Sequence, residues 1–330
     1  MEVFVLIAVV LLGLGYGFLN GFHDSANIAA PLISTRALRP RTALLWVALG
    51  EFLGPLIFGS AVAKTIGADL LESSAITPTI LAAALIGAIV WDIVTWWFGI
   101  PSSSSHALVG GLLGSAIIAR GVGVVKFAGL ESVLLALFIS PFLGFLAGYL
   151  ITKFNFVAFH NASPRIQEVF RRGQLFTAIG LAMSHGANDS QKTMGVLTLA
   201  LLVSGHLHSF EVPFWVVVLS GGALALGSGI GGWRLIVTLG ARVFRIRPVH
   251  GFSSQVGSAL VIGGASLLGG PVSTTHVMTS SLMGSGAAER INKVRWQIAG
   301  DMLYAWVLTI PISGLVAAGF YILLNALGLG

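Results

Sequence analysis

The chain has 330 residues, of which only 18 are Lys or Arg and 12 are Asp or Glu; 9% are charged and 55% hydrophobic. Soluble domains carry roughly 25% charged residues, so this composition excludes an ordinary soluble enzyme, a disordered chain and a nucleic-acid reader. Cysteine is absent, which removes disulfides and thiolate metal or redox chemistry.

Mean hydropathy is +0.92, and the whole chain reads as one all-α polytopic membrane domain. Apolar runs long enough to span a bilayer lie at 3–33, 42–63, 130–152, 175–203, 213–238 and 297–326. The first is not a cleavable signal: Glu2 stands where a basic region belongs and no A-x-A site follows. Two further regions, 79–119 and 256–288, are apolar but interrupted by Gly99-Ile-Pro101-Ser-Ser-Ser-Ser105 and Gly269-Gly-Pro-Val-Ser-Thr-Thr275. Pro with Gly ends a helix and a hydroxyl residue caps the next. Each region is therefore expected to be a helical hairpin that turns inside the membrane, giving about 10–12 helical segments in all.

If each hairpin enters and leaves on one side, the loops 34–42, 153–173, 240–255 and 289–296 share a side and hold thirteen of the eighteen basic residues. Lys64, Arg120 and Lys126 fall on the other side, and Lys192 and Arg234 within spans. That is a positive-inside pattern. It predicts a plasma-membrane protein with both termini outside and two hairpins re-entering from opposite faces.

The halves echo each other. Pro101-Ser-Ser-Ser-Ser-His106 aligns with Pro271-Val-Ser-Thr-Thr-His276, Gly21-Phe-His-Asp24-Ser25 with Gly186-Ala-Asn-Asp189-Ser190, and Thr65-Ile-Gly67 with Thr238-Leu-Gly240. The order is kept while the starting side flips, which predicts two inverted-topology repeats, 1–152 and 174–330, joined by a cytoplasmic linker 153–173. Each repeat is expected to have a broken first span and a re-entrant hairpin. Inverted repeats of this kind flag a midplane binding site in secondary transporters.

Asp24 and Asp189 lie deep in the first and fourth spans, where an ionised acid costs roughly 2.5–3.5 kcal/mol. Asn27 and Asn188 add amide oxygens, and Ser25, Ser190 and Gln191 stand beside them. Such an all-oxygen set suits a hard cation; sodium fits, and so does a proton on one carboxylate. The hairpin tips are complementary. Ser103, Ser104 and Ser105, with Ser273, Thr274 and Thr275, open helices whose N-termini present unpaired N–H groups and partial positive charge. Two such ends meeting at the midplane make an oxyanion site for phosphate or sulfate. An anion alone is repelled by the acids and a bound cation attracts it, which is a physical basis for symport.

Lys192 follows Asp189 by three positions and is placed to pair with it. Glu51 is deep enough to help bind a cation; Asp92 and Asp301, nearer span ends, are open to solvent on the simpler reading. His23, His106, His185 and His276 flank the motifs, where hydrogen-bonded packing is favoured over proton relay. The G-x-x-x-G pairs, including Gly110/Gly114 and Gly144/Gly148, suit internal packing; they are compatible with a homodimer without establishing one.

Four motifs, Gly21-Phe-His-Asp-Ser-Ala-Asn27, Gly99-Ile-Pro-Ser-Ser-Ser-Ser-His106, His185-Gly-Ala-Asn-Asp-Ser-Gln-Lys192 and Gly270-Pro-Val-Ser-Thr-Thr-His276, resemble the inorganic phosphate transporter family, PiT, nearly end to end. The resemblance implies a phosphate permease coupled to sodium or protons, with no other cofactor and no enzymatic activity. It implies cation and phosphate binding by Asp24, Asn27, Asn188 and Asp189, and phosphate binding by the two hydroxyl tips. Transport of metal–phosphate complexes, or of a related oxyanion such as sulfate, and an anion channel are the alternatives. Gln255 stands where many members have Glu, so one acid is missing near the pathway and ion stoichiometry is left open. The long central hydrophilic loop of some members is absent.

Overall fold

The computed structural model describes residues 2–99, 102–231 and 246–329, and among these the regular structure is helical. Pro101, Arg234, Thr238, Gly240, Arg242 and Arg245 lie outside the described residues. The helices are α1 (Glu2–Ser34), α2 (Pro40–Phe58), the short α3 (Ala61–Lys64), α4 (Pro78–Phe98), α5 (Ser104–Arg120), α6 (Phe127–Ala158), α7 (Ile166–Val203), α8 (Phe214–Ile230), α9 (Pro248–Leu267), α10 (Thr274–Glu289) and α11 (Gln297–Ala326). Five of them (α1, α2, α4, α6 and α11) are long and apolar enough to cross a membrane.

The two hairpins turn where Pro, Gly and Ser/Thr predict. Gly99 at φ +67° and Gly269 at φ +75° take the left-handed conformation that costs glycine nothing and other residues dearly. Ser103 and Ser273 then cap α5 and α10, each hydroxyl accepting from the backbone N–H three residues on, at His106 and His276. Both ends of the α4–α5 hairpin meet at one end of the molecule, because the Glu72 N–H donates to the Val124 carbonyl and the Lys126 N–H to the Leu70 carbonyl. The α9–α10 hairpin closes at its base through Glu289, whose Oε2 lies 2.6 Å from Arg247 Nη2 and 3.0 Å from His250 Nε2.

Packing comes in matched pairs. Helix α1 packs on α8 and α7 on α2; α11 covers the α4–α5 hairpin and α6 covers the α9–α10 hairpin. Small residues set these crossings. A Cβ on Gly21 would stand 2.0 Å from the Leu224 carbonyl oxygen, and one on Gly186 would stand 2.2 Å from the Glu51 carbonyl oxygen. Gly114 approaches Gly314, and Gly148 approaches Ser281. The glycine pairs in α5 and α6 thus serve internal helix packing.

One expectation is corrected. The first spans are unbroken: α1 runs through Asp24 and α7 through Asp189 as continuous helices. Partners from neighbouring helices satisfy both carboxylates, so the backbone has no need to unwind. The segment 153–173 is mostly helical, with α6 extending to Ala158 and α7 beginning at Ile166. Nothing in 153–158 or 166–173 breaks a helix.

Helix α7 is central. Every residue from Ser184 to Leu201 is buried, whereas α6 and α11 show large apolar side chains such as Phe142, Phe154 and Leu315 to the outside. A helix surrounded on all sides by protein can carry the acids and amides that a lipid-facing one cannot.

Candidate ion and anion site

The acids, Asn20, Asn27 and both hairpin tips meet at one buried place. Asp24 and Asp189 are 1% and 0% exposed. The Thr274 hydroxyl sits between them, 3.3 Å from Asp24 Oδ2 and 3.1 Å from Asp189 Oδ2. Thr275 donates to Asp24 Oδ1 at 2.7 Å. Opposite, Ser104 donates to Asn20 Oδ1 at 2.9 Å, and Asn20 Nδ2 in turn donates to Asp189 Oδ2 at 2.9 Å. Ser105 donates to the Val272 carbonyl at 2.8 Å, which fastens one hairpin tip to the other. In apolar helices Ser and Thr often bond back one turn; Ser104, Ser105, Thr274 and Thr275 reach across helices instead. The N-terminal turns of α5 and α10, with their unpaired amides, therefore lie against the two acids.

Histidine 185 is the hub of the acid cluster. Its Nε2 lies 3.3 Å from Asp189 Oδ2 and 3.8 Å from Asp24 Oδ2, and its Nδ1 lies 2.9 Å from Glu51 Oε1. One atom each from Asp24, His185 and Asp189 fall within 4.8 Å of one another, close enough to share a single cation. Lys192 Nζ is 2.5 Å from Asp189 Oδ1, the expected pair, and is fully buried. His23 Nδ1 is 3.1 Å from Asp24 Oδ1, and Asn27 Nδ2 is 3.5 Å from the same oxygen.

Other candidates do different work. Asn188 faces away from the acids: its amide donates to Ser266 Oγ and the Gly270 carbonyl, both at 3.1 Å, and accepts from the Val272 N–H at 3.3 Å. It holds the turn of the second hairpin, whose backbone groups would otherwise be buried without partners. Asn188→Leu is expected to cost about 2 kcal/mol, read as a lower unfolding midpoint in detergent; an unchanged midpoint contradicts that role. Ser25 and Ser190 bond back to carbonyls of their own helices. Gln191 Oε1 accepts from the Val62 and Ala63 N–H groups at 2.8 and 3.2 Å, so it caps α3 and is absent from the acid cluster. Gln255 accepts from Thr177 at 2.7 Å. It lines a cleft with Asn27, Pro31 and Thr279 at the basic-loop end of the molecule.

Asp92 is not solvent-open: it is 7% exposed and lines a cleft beside His23 and Trp96. The side chain of Asp301 lies outside the described residues. His106 and His276 pack as expected, their rings 5.5 Å apart at the two tips, with the Trp306 indole N–H donating to His276. Sequence reasoning missed Asn20 and gave His185 only a packing role. Both sit one helical turn before an Asp, on the same face, and that spacing was the available signal.

A multi-pass helical bundle with two hairpin tips and a buried acid pair at its centre has the architecture of a membrane transporter. A sequence profile of the phosphate transporter family matches residues 20–165 and, separately, 157–317. A protein of Rhizobium meliloti, named as a probable low-affinity inorganic phosphate transporter, is 42% identical over 319 residues, 96% of each chain. One of Bacillus subtilis with the same name is 40% identical over 323 residues, 97% of each chain. A solved structure described as the sodium-dependent phosphate transporter superposes with a TM-score of 0.91 at 25% identity, covering 98% of this chain and 99% of that one. The chain belongs to the phosphate transporter family.

Proposed function

We propose that this phosphate transporter is a sodium-coupled importer that works by alternating access around the buried site. The observation that carries the reading is the convergence of Thr274 and Thr275 on Asp24 and Asp189. The hydroxyl protons and amides that would bind phosphate already point at the carboxylates that would bind sodium. A cation on Asp24 and Asp189 takes over the carboxylate oxygens, and Ser104, Ser105, Thr274 and Thr275 turn their donors to the anion. Without the cation, phosphate meets Asp24 and a second carboxylate, Asp189, of which Lys192 engages one oxygen, at close range in a poorly screened interior. Binding of either ion therefore favours the other.

Ser103 and Ser273 fix the two helix N-termini, and Asn188 fixes the turn that presents Thr274. Glu51 steers His185 toward the acids. Two clefts fit alternating access. One, at the basic-loop end, reaches Asn27; the other is lined by Thr65, Asp69 and the second hairpin turn, Gly269–Val272. The matched packing of α1 on α8 and α7 on α2, with the basic loops at one end, supports two inverted repeats, a cytoplasmic 153–173 segment and termini outside the cell. The sodium-dependent protein that superposes on this chain adds support for sodium over protons.

Labelled phosphate uptake into proteoliposomes tests the reading. An inward sodium gradient should drive accumulation, and competing arsenate should inhibit more than sulfate. Uptake that ignores sodium and follows a pH gradient would replace sodium by protons; uptake that neither saturates nor needs a co-ion would indicate a channel.

A further inference from the structure

The two acids hold equivalent places but do not have equivalent company. The alignment of Gly21–Ser25 with Gly186–Ser190 puts Asn20 opposite His185, Asp24 opposite Asp189, and Asn27 opposite Lys192. The structure keeps this correspondence at the Asn27–Lys192 pair. Asn27 approaches Asp24 Oδ1 from three residues on, and Lys192 approaches Asp189 Oδ1 from three residues on. One acid therefore has a neutral amide at that corner and the other an ammonium.

The ammonium is committed. Lys192 is among the largest fully buried side chains, and among the described residues Asp189 is the sole carboxylate within 4.0 Å of its Nζ. Asp24 is met by hydroxyls of Thr274 and Thr275, the amide of Asn27 and the rings of His23 and His185. An ammonium is a compact point charge carried on a flexible stem, so beside a carboxylate it does the electrostatic work of a bound monovalent ion. Unlike an ion, it stays attached to its helix. The second oxygen of Asp189, Oδ2, still faces His185, Thr274 and Asp24.

We propose that Lys192 is a tethered cation that sets the coupling stoichiometry: it fills, at Asp189 Oδ1, the place a second co-transported sodium would take, and leaves one exchangeable cation site shared by Asp24 and Asp189 Oδ2. The inference rests on the sodium-coupled reading above. It accounts for a lysine buried at the centre of a transporter of anions without directing it to the anion. Each transport cycle then carries one positive charge fewer than a site with an amide in both halves.

The test is a count of bound sodium on purified full-length protein, by isothermal titration with sodium at saturating inorganic phosphate, with uptake measured alongside. Lys192→Asn makes the two halves alike at that corner and should bind one more sodium per chain; the sodium order of uptake should rise from about one to about two. Lys192→Arg keeps the charge and should keep the wild-type count. Asn27→Lys puts a second ammonium beside Asp24 in the half that borders a cleft. It should bind one sodium fewer and bind phosphate without sodium, and it decides the matter if Lys192→Asn does not fold. Wild-type counts in both folded variants would overturn the proposal while leaving sodium coupling intact. A wild-type protein that binds no sodium would overturn the coupling reading itself, and this inference with it.

Discussion

Asp24→Asn should lower sodium-driven phosphate uptake about 30-fold or more while leaving the protein folded. Asn keeps the shape and still accepts from Thr275, so the change is one of charge. Asp24 is buried, with its neighbours in α1, α7 and α10 arranged around an anion. Truncating one member of a buried, hydrogen-bonded charge set costs about 2–5 kcal/mol, and each 1.4 kcal/mol is a factor of about ten in affinity. The loss should appear as a raised sodium requirement and, through it, a raised phosphate KM. Initial rates of labelled phosphate uptake across a sodium titration measure both, with size-exclusion chromatography as the folding control. Uptake within about threefold of wild type would remove Asp24 from the cation site.

The second large effect is on assembly. Gly148→Leu should prevent α6 from seating on α10, because a Cβ there would stand 2.0 Å from the Ser281 carbonyl oxygen and 2.8 Å from its hydroxyl. Backbone cannot yield as a side chain can, so the helices must separate. Forcing bulk into a packed crossing costs about 1–3 kcal/mol even where side chains adjust; here the second hairpin, which carries Thr274 and Thr275, loses its cover. The expected result is a large fall in the unfolding midpoint in detergent and loss of uptake. Gly180→Ala, where nothing lies within 4 Å of the added Cβ, should leave the midpoint unchanged. Equal midpoints for the two variants would show that the α6–α10 approach is not a constraint.

Much of this was legible in the sequence because polar residues are so scarce. Asp24, Asp189 and the hydroxyl runs after Pro101 and Pro271 stand out against an apolar background, and Gly99 and Gly269 mark the hairpin turns. Their meeting at one buried place is what the proposed inverted repeats would give, with equivalent elements in opposite senses converging on one centre. What stayed hidden depends on partners distant in sequence. The unbroken course of α1 and α7 is one case, since Asn20, His185 and Thr274 satisfy acids that would otherwise distort their own helices. Asn188 is another. Its neighbour Asp189 suggested a shared ligand, yet adjacent helical residues point about 100° apart, and Asn188 points to the second hairpin turn. Gln191 reaches α3 for the same reason. Periodicity places side chains on a helix face, but it does not say which helix will lie there.

In a sodium-coupled transporter of this design, sodium and phosphate bind cooperatively at one site, and each raises the affinity for the other. This cooperativity is tested most directly by equilibrium binding of labelled phosphate to the purified protein in sodium and in choline at matched ionic strength and pH. Phosphate affinity should be at least about tenfold higher in sodium, a coupling of about 1.4 kcal/mol or more, and that difference should be lost in Asp24→Asn. Equal phosphate affinity in the two salts would contradict it.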